Sequence, residues 1–75
     1  MKRTRHLTAI IERDGDGYVA FCPELDVASQ GNSVEQARRN LAEAVELLLE
    51  CASSSELRRR MKSEVFITSL EVAVG

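Results

Sequence analysis

Arg13-Asp14-Gly15-Asp16-Gly17-Tyr18-Val19-Ala20-Phe21-Cys22-Pro23 is the stretch from which the fold can be read. Two successive Asp-Gly pairs supply the positive φ that a tight β-hairpin needs. The next run is aromatic and β-branched, as strands favour, and it stops at Pro23, which has no N–H to give to a ladder. Working backwards, His6 to Arg13 alternates, with Leu7, Ala9 and Ile11 on one face and Thr8, Ile10 and Glu12 on the other, and predicts the first strand. Working forwards, Glu24-Leu25-Asp26 turns the chain into a short third strand, Val27 to Gln30, closed by Gly31 and Asn32.

The pattern then changes from period two to a helical period. Ser33-Val34-Glu35-Gln36 has the spacing of a capping box, and Glu35 in the first turn suits the helix dipole. Val34, Ala37, Leu41, Val45, Leu48 and Ala52 form one face of a helix that is expected to reach about Ala52. Ala44, Leu47, Leu49 and Cys51 widen that face beyond what one sheet covers. Ser55 to Lys62 predicts a short helical turn, acidic at Glu56 and basic at its end. Glu64 to Val74 alternates again and predicts a last strand, with Phe66, Thr68, Leu70, Val72 and Val74 on one face and Val65, Ile67 and Ala73 on the other. The expected class is α+β in the order β-β-β-α-β. It would form a mixed four-stranded sheet, the last strand beside the first, with one main helix packed on one face.

Composition narrows the function. The chain has 75 residues, 44% hydrophobic and 29% charged, which suits a single folded domain over residues 1–75. Ten basic and twelve acidic side chains leave a net charge of −2, which argues against nucleic-acid binding by global electrostatics. No apolar run approaches the ~20 residues of a membrane span. The basic start, Met1 to His6, leads into no apolar signal core, so a cytoplasmic location is expected. Cys22 and Cys51 lack ligand or scaffold spacing. His6, the one histidine, reads as a surface residue, Cys22 as a strand-end cysteine packed on the helix, and Cys51 as core or interface.

No set of residues makes an active site, so we expect no enzyme activity, no cofactor and no metal. Glu12, Asp14, Asp16, Glu24 and Asp26 are expected to cluster at the hairpin end, where paired carboxylates would suit Mg²⁺ chemistry but where Asp-Gly-Asp-Gly is also ordinary turn sequence. The same five are the candidate contacts for a basic partner. Arg58-Arg59-Arg60-Met61-Lys62 is the local basic patch. It has no interleaved aromatics to stack bases and reads first as dipole capping and a solvated face. A chain this short also invites self-association. Leu47 and Leu49 on the wide helix face, and Val65, Ile67 and Leu70 on a strand apolar on both faces, are the candidate contacts of a homodimer or larger homo-oligomer.

One larger pattern stands out. Gly17-Tyr18-Val19-Ala20-Phe21-Cys22-Pro23-Glu24-Leu25, then Ala28-Ser29-Gln30-Gly31-Asn32-Ser33, Glu35-Gln36-Ala37 and Leu41 to Glu50, resembles the HicB-type antitoxin domain over about residues 5 to 52. The end, Glu71 to Gly75, is similar to short, single-domain members of that superfamily. The resemblance implies a partial RNase H-like β-β-β-α-β fold. It also implies an interaction protein that binds and blocks a small HicA-type RNA-cleaving toxin. Asp26-Val27 stands where longer members carry Leu-Pro-Gly, and their second, DNA-binding domain is not expected here. Two other functions compete. One is nucleic-acid binding through Arg58 to Lys62. The other is a metal-dependent RNase H-like nuclease, which would need an inward carboxylate that His6 to Ile11 does not supply.

Overall fold

The structure, a computed structural model, describes residues 5–62 and 64–75. The basic start at residues 1–4 lies outside them. Three strands form an antiparallel meander: β1 (Ile10–Asp14), β2 (Gly17–Cys22) and β3 (Val27–Gly31), in the order β1-β2-β3. Helix α1 (Val34–Cys51) and helix α2 (Ser54–Arg60) come next. The β1–β2 register pairs Asp14 with Gly17, so Gly15 and Asp16 make the hairpin turn, and Gly15 takes the left-handed φ of +61° that its sequence position predicted. Asp26, at φ +55°, turns the chain into β3, a conformation that aspartate tolerates better than most residues.

Alternation assigns the two sheet faces. Ile11, Tyr18, Ala20, Cys22 and Val27 point toward α1, and Ile10, Glu12, Val19, Phe21 and Ala28 point away from it. Ala20, Cys22, Leu25, Ala37, Leu41 and Val45 make up the buried core, with Leu7, Leu48, Leu49 and Met61 packed at its margin. Leu25 is fully buried although it lies in the turn after Pro23, where the sequence predicts only a loop. Helix α1 packs chiefly on β3, less on β2 and least on β1.

The junction from β3 to α1 is closely fitted. The Ser33 hydroxyl caps the helix by accepting the Gln36 N–H at 3.0 Å, and Gln36 Oε1 reaches back to accept the N–H of Asn32 at 2.6 Å. The reciprocal bond therefore lands one residue earlier than a standard capping box would place it. Asn40 Nδ2 donates to the Gln30 carbonyl at 2.8 Å. A Cβ at Gly31 would sit 2.5 Å from the Ala37 nitrogen and 2.9 Å from the Gln36 carbonyl carbon, so only glycine permits this contact.

Three expectations need correction. The first strand begins at Ile10 rather than His6, because β2 ends at Cys22 and Pro23 and leaves residues 6–9 without a strand to pair with. Leu7 still reaches the core, but Ala9 is exposed. Cys51 is exposed rather than in the core. Among the described residues no fourth strand forms, so the sheet has three antiparallel strands and is not mixed. Glu64–Gly75 is non-strand and largely exposed, with Phe66 77% and Leu70 86% accessible. A strand is stable only against a neighbour, and this segment is apolar on both faces, so one helix on one side of a small sheet cannot cover it.

Gly31→Ala is expected to cost about 1–3 kcal/mol, because the colliding atoms are helix backbone and cannot rotate away. Urea unfolding checks this; Gly15→Ala, which meets no atom within 4 Å, is strained only through its positive φ and serves as the comparison.

Candidate functional site

The five predicted carboxylates do not come together. Glu12, Asp14 and Asp16 lie at the β1–β2 hairpin, whereas Glu24 and Asp26 lie beyond Cys22, at the opposite end of β2. A six-residue strand separates the two groups by roughly 20 Å. Nearness in sequence is misleading here, because antiparallel pairing sends residues 16 and 24 to opposite ends of the sheet.

The two groups differ chemically. Glu12, Asp14 and Asp16 are exposed, and among the described residues none of them forms an ion pair. Glu12 lies on the face away from α1, opposite Val19. Beside the hairpin, Asp14, Tyr18, Gln30, Asn32, Gln36 and Asn40 line an open, largely polar cleft of about 430 Å³. Arg13 lies across from Tyr18, its guanidinium 5.1 Å from the ring centroid and donating to the phenol oxygen at 2.9 Å. That contact engages Arg13 with Tyr18, and the hairpin carboxylates are exposed to solvent.

Glu24 is a structural hub. Its carboxylate accepts the Thr8 N–H at 3.0 Å and the Thr8 hydroxyl at 2.6 Å, and the Cys22 thiol donates to it at 3.5 Å. Its carbonyl accepts the Lys62 N–H at 3.0 Å. Partial burial by itself would raise the Glu24 carboxyl, but the Thr8 hydrogen bonds outweigh it and hold the group below the usual carboxylate range. Burial pushes the Cys22 thiol up, and the neighbouring carboxylate adds to the rise, so this cysteine is a packed, protonated thiol rather than a nucleophile. Glu24 thus joins the segment before β1, the end of β2 and the chain leaving α2. No periodicity announces it, since a lone glutamate after a proline reads as a turn residue.

The basic patch is partly neutralised within the chain: Lys62 Nζ reaches Asp26 at 3.2 Å and Arg60 reaches Glu56 at 3.3 Å. Arg58 and Arg59 are exposed, with no ion pair among the described residues, and Arg59 lines a shallow cleft with Leu25, Asp26, Glu56, Arg60 and Lys62. His6 is exposed. Of the self-association candidates, Leu47 and Ile67 are each 60% exposed and Leu70 is 86% exposed, whereas Val65 is half-buried and Leu49 packs against the core. Among the described residues no three His, Cys, Asp or Glu side chains stand together as metal ligands, and no helix is long and apolar enough to cross a membrane.

A depressed Glu24 pKa stabilises the fold above the ordinary glutamate value of about 4.3, and that contribution is lost as pH falls through the lower folded value. Glu24→Gln is expected to cost about 1 kcal/mol or more at pH 7. The gap between the two proteins should narrow as pH falls below about 4.3 and through the lower folded value. Urea unfolding of both across pH 3 to 7 measures it.

Comparison with known proteins places the chain. It is 43% identical over 68 residues to a UPF0150 protein of Helicobacter pylori strain J99, covering 89% of this chain and 94% of that protein. Two UPF0150 proteins of Synechocystis are also similar. One is 35% identical over 75 residues, covering 97% of this chain and 94% of the relative. The other is 40% identical over 60 residues, covering 77% and 82%. No family model and no solved structure matches. Near-complete coverage at these identities establishes that the chain belongs to the UPF0150 family.

Proposed function

We propose that this chain is a small HicB-like interaction protein, an antitoxin that binds and occludes a HicA-type RNA-cleaving toxin without chemistry of its own. The observation that carries this reading is the hairpin end. Glu12 and Asp14 at the end of β1 and Asp16 in the hairpin turn are exposed, and among the described residues none forms an ion pair. Such a cluster suits the basic surface that an RNA-binding toxin needs, and complementary charge speeds the encounter. Glu24 and Asp26 drop out of the contact set, because Thr8 and Lys62 already engage them.

The motif residues behind the HicB resemblance support the same reading through their roles in the fold. Tyr18, Ala20 and Cys22 line the helix face of the sheet, and Gly31 and Ser33 set the entry into α1. The β-β-β-α order is compatible with a partial RNase H-like unit, with no fourth strand formed among the described residues. A nuclease reading is less well supported. β1 does carry Glu12 and Asp14, but both are exposed, and no third acidic or histidine ligand joins them among the described residues.

Co-expression with a small, basic HicA-type protein, sought in the neighbouring reading frames, tests the proposal. Growth arrest by that protein should be relieved, and the two should co-purify. Charge reversal at Glu12, Asp14 and Asp16 should slow association by about tenfold or more and flatten its salt dependence, with the fold retained. Unrelieved toxicity without co-purification, or RNA cleavage by this chain that Asp14→Asn abolishes, would refute it.

A further inference from the structure

We propose that Glu64–Gly75 of one copy adds as a strand to the open β1 edge of a second copy, and that the exchange is reciprocal. The segment has a strand sequence and, among the described residues, no strand to join. Val65 to Leu70 contains no charge and no proline, the devices that ordinarily protect an exposed strand from pairing. Phe66, Ile67, Leu70, Val72 and Val74 are 60% exposed or more. The fold is drawn out accordingly: it measures 51 by 29 by 20 Å, with a radius of gyration of 14.6 Å. A compact chain of this length would have about 11 Å.

The same chain carries the matching surface. Among the described residues β1 pairs only with β2, so the other side of Ile10–Asp14 is a free ladder edge. It is also the strand least covered by α1, and Ile10 is 41% exposed on it. The root of the C-terminal segment is pinned beside this edge. Lys62 N–H bonds the Glu24 carbonyl, and the Glu24 carboxylate bonds Thr8, two residues before β1. Beyond that root Glu64–Gly75 is largely exposed and joins no strand among the described residues. Extended, twelve residues span about 40 Å, against about 17 Å for β1. The segment is therefore long enough to cross to a neighbour and still pair along the whole edge.

A second copy fits better than an unrelated protein because each chain offers both the strand and, at β1, the less covered edge that would receive it. A two-fold axis satisfies both at once and leaves neither open. Each three-stranded sheet gains a fourth strand, and its side chains on the face away from α1 stand beside Ile10, extending the apolar row that Ile10 makes with Phe21.

Half-filtered NMR on a mixture of isotope-labelled and unlabelled full chains tests this directly. Interchain contacts are expected between residues 65–72 and 8–14, with a two-chain mass by light scattering. Thr68→Pro removes a mid-strand N–H outside the folded body. It should weaken self-association about thirtyfold, the equivalent of two ladder hydrogen bonds, one lost in each copy, with the helical circular dichroism unchanged. A single-chain mass at several hundred micromolar would overturn the proposal. So would contacts from the segment to β1 of its own chain, interchain contacts confined to other surfaces, or self-association indifferent to Thr68→Pro.

Discussion

The distance between α1 and the sheet is set at Gly31, where the helix backbone passes so close to β3 that a Cβ would stand 2.5 Å from the Ala37 nitrogen. The rest of the body depends on that approach. A helix this close needs small residues at the contact, and Ala20 and Ala37 are both fully buried there. It also needs its first turn aimed without slack, which the Ser33 cap, the Gln36 back-bond and the Asn40 bond to Gln30 provide. With the helix seated, Leu41 and Val45 fall over β2 and β3 and exclude water from Cys22 and Leu25. The core is small, so its stability depends on fit more than on buried area.

Glu24 does for the other end of the sheet what Gly31 does for the helix. Its carboxylate and carbonyl together tie Thr8, Cys22 and Lys62, drawn from three separate segments. A carboxylate committed this way is unavailable to a partner, and Asp26, paired with Lys62, is largely committed as well. The acidic character of the chain therefore has two uses. One end of the sheet uses its carboxylates to hold the chain together, and the hairpin end presents them to solvent. That division supports the hairpin as the place where a basic partner would dock.

The C-terminal segment poses the opposite problem. The chain is tied to the body as far as Lys62, whereas Glu64–Gly75 is largely exposed and joins no strand. A three-stranded meander has two edge strands, β1 and β3, and α1 packs chiefly on β3 and least on β1. The open β1 edge and the uncovered apolar segment are two halves of one unsatisfied requirement, since backbone groups in strands must find partners and apolar side chains must leave water.

Much of the fold is legible in the sequence because it rests on local rules. The Asp-Gly hairpin, the stop at Pro23, the Ser33 cap, the extent of α1 and the short basic-ended α2 each depend on neighbours within four residues, and each is found. What tertiary structure alone decided depends on contacts distant in sequence. Leu25 is core because the turn after Pro23 folds inward under α1, and Glu24 is a hub because Thr8 lies sixteen residues away. The five carboxylates, close in sequence, are parted by the antiparallel course of β2. The final segment has the alternation of a strand, but alternation specifies only which side chains share a face. Whether a strand forms depends on a neighbour to receive its hydrogen bonds, and among the described residues of one chain that neighbour is not supplied.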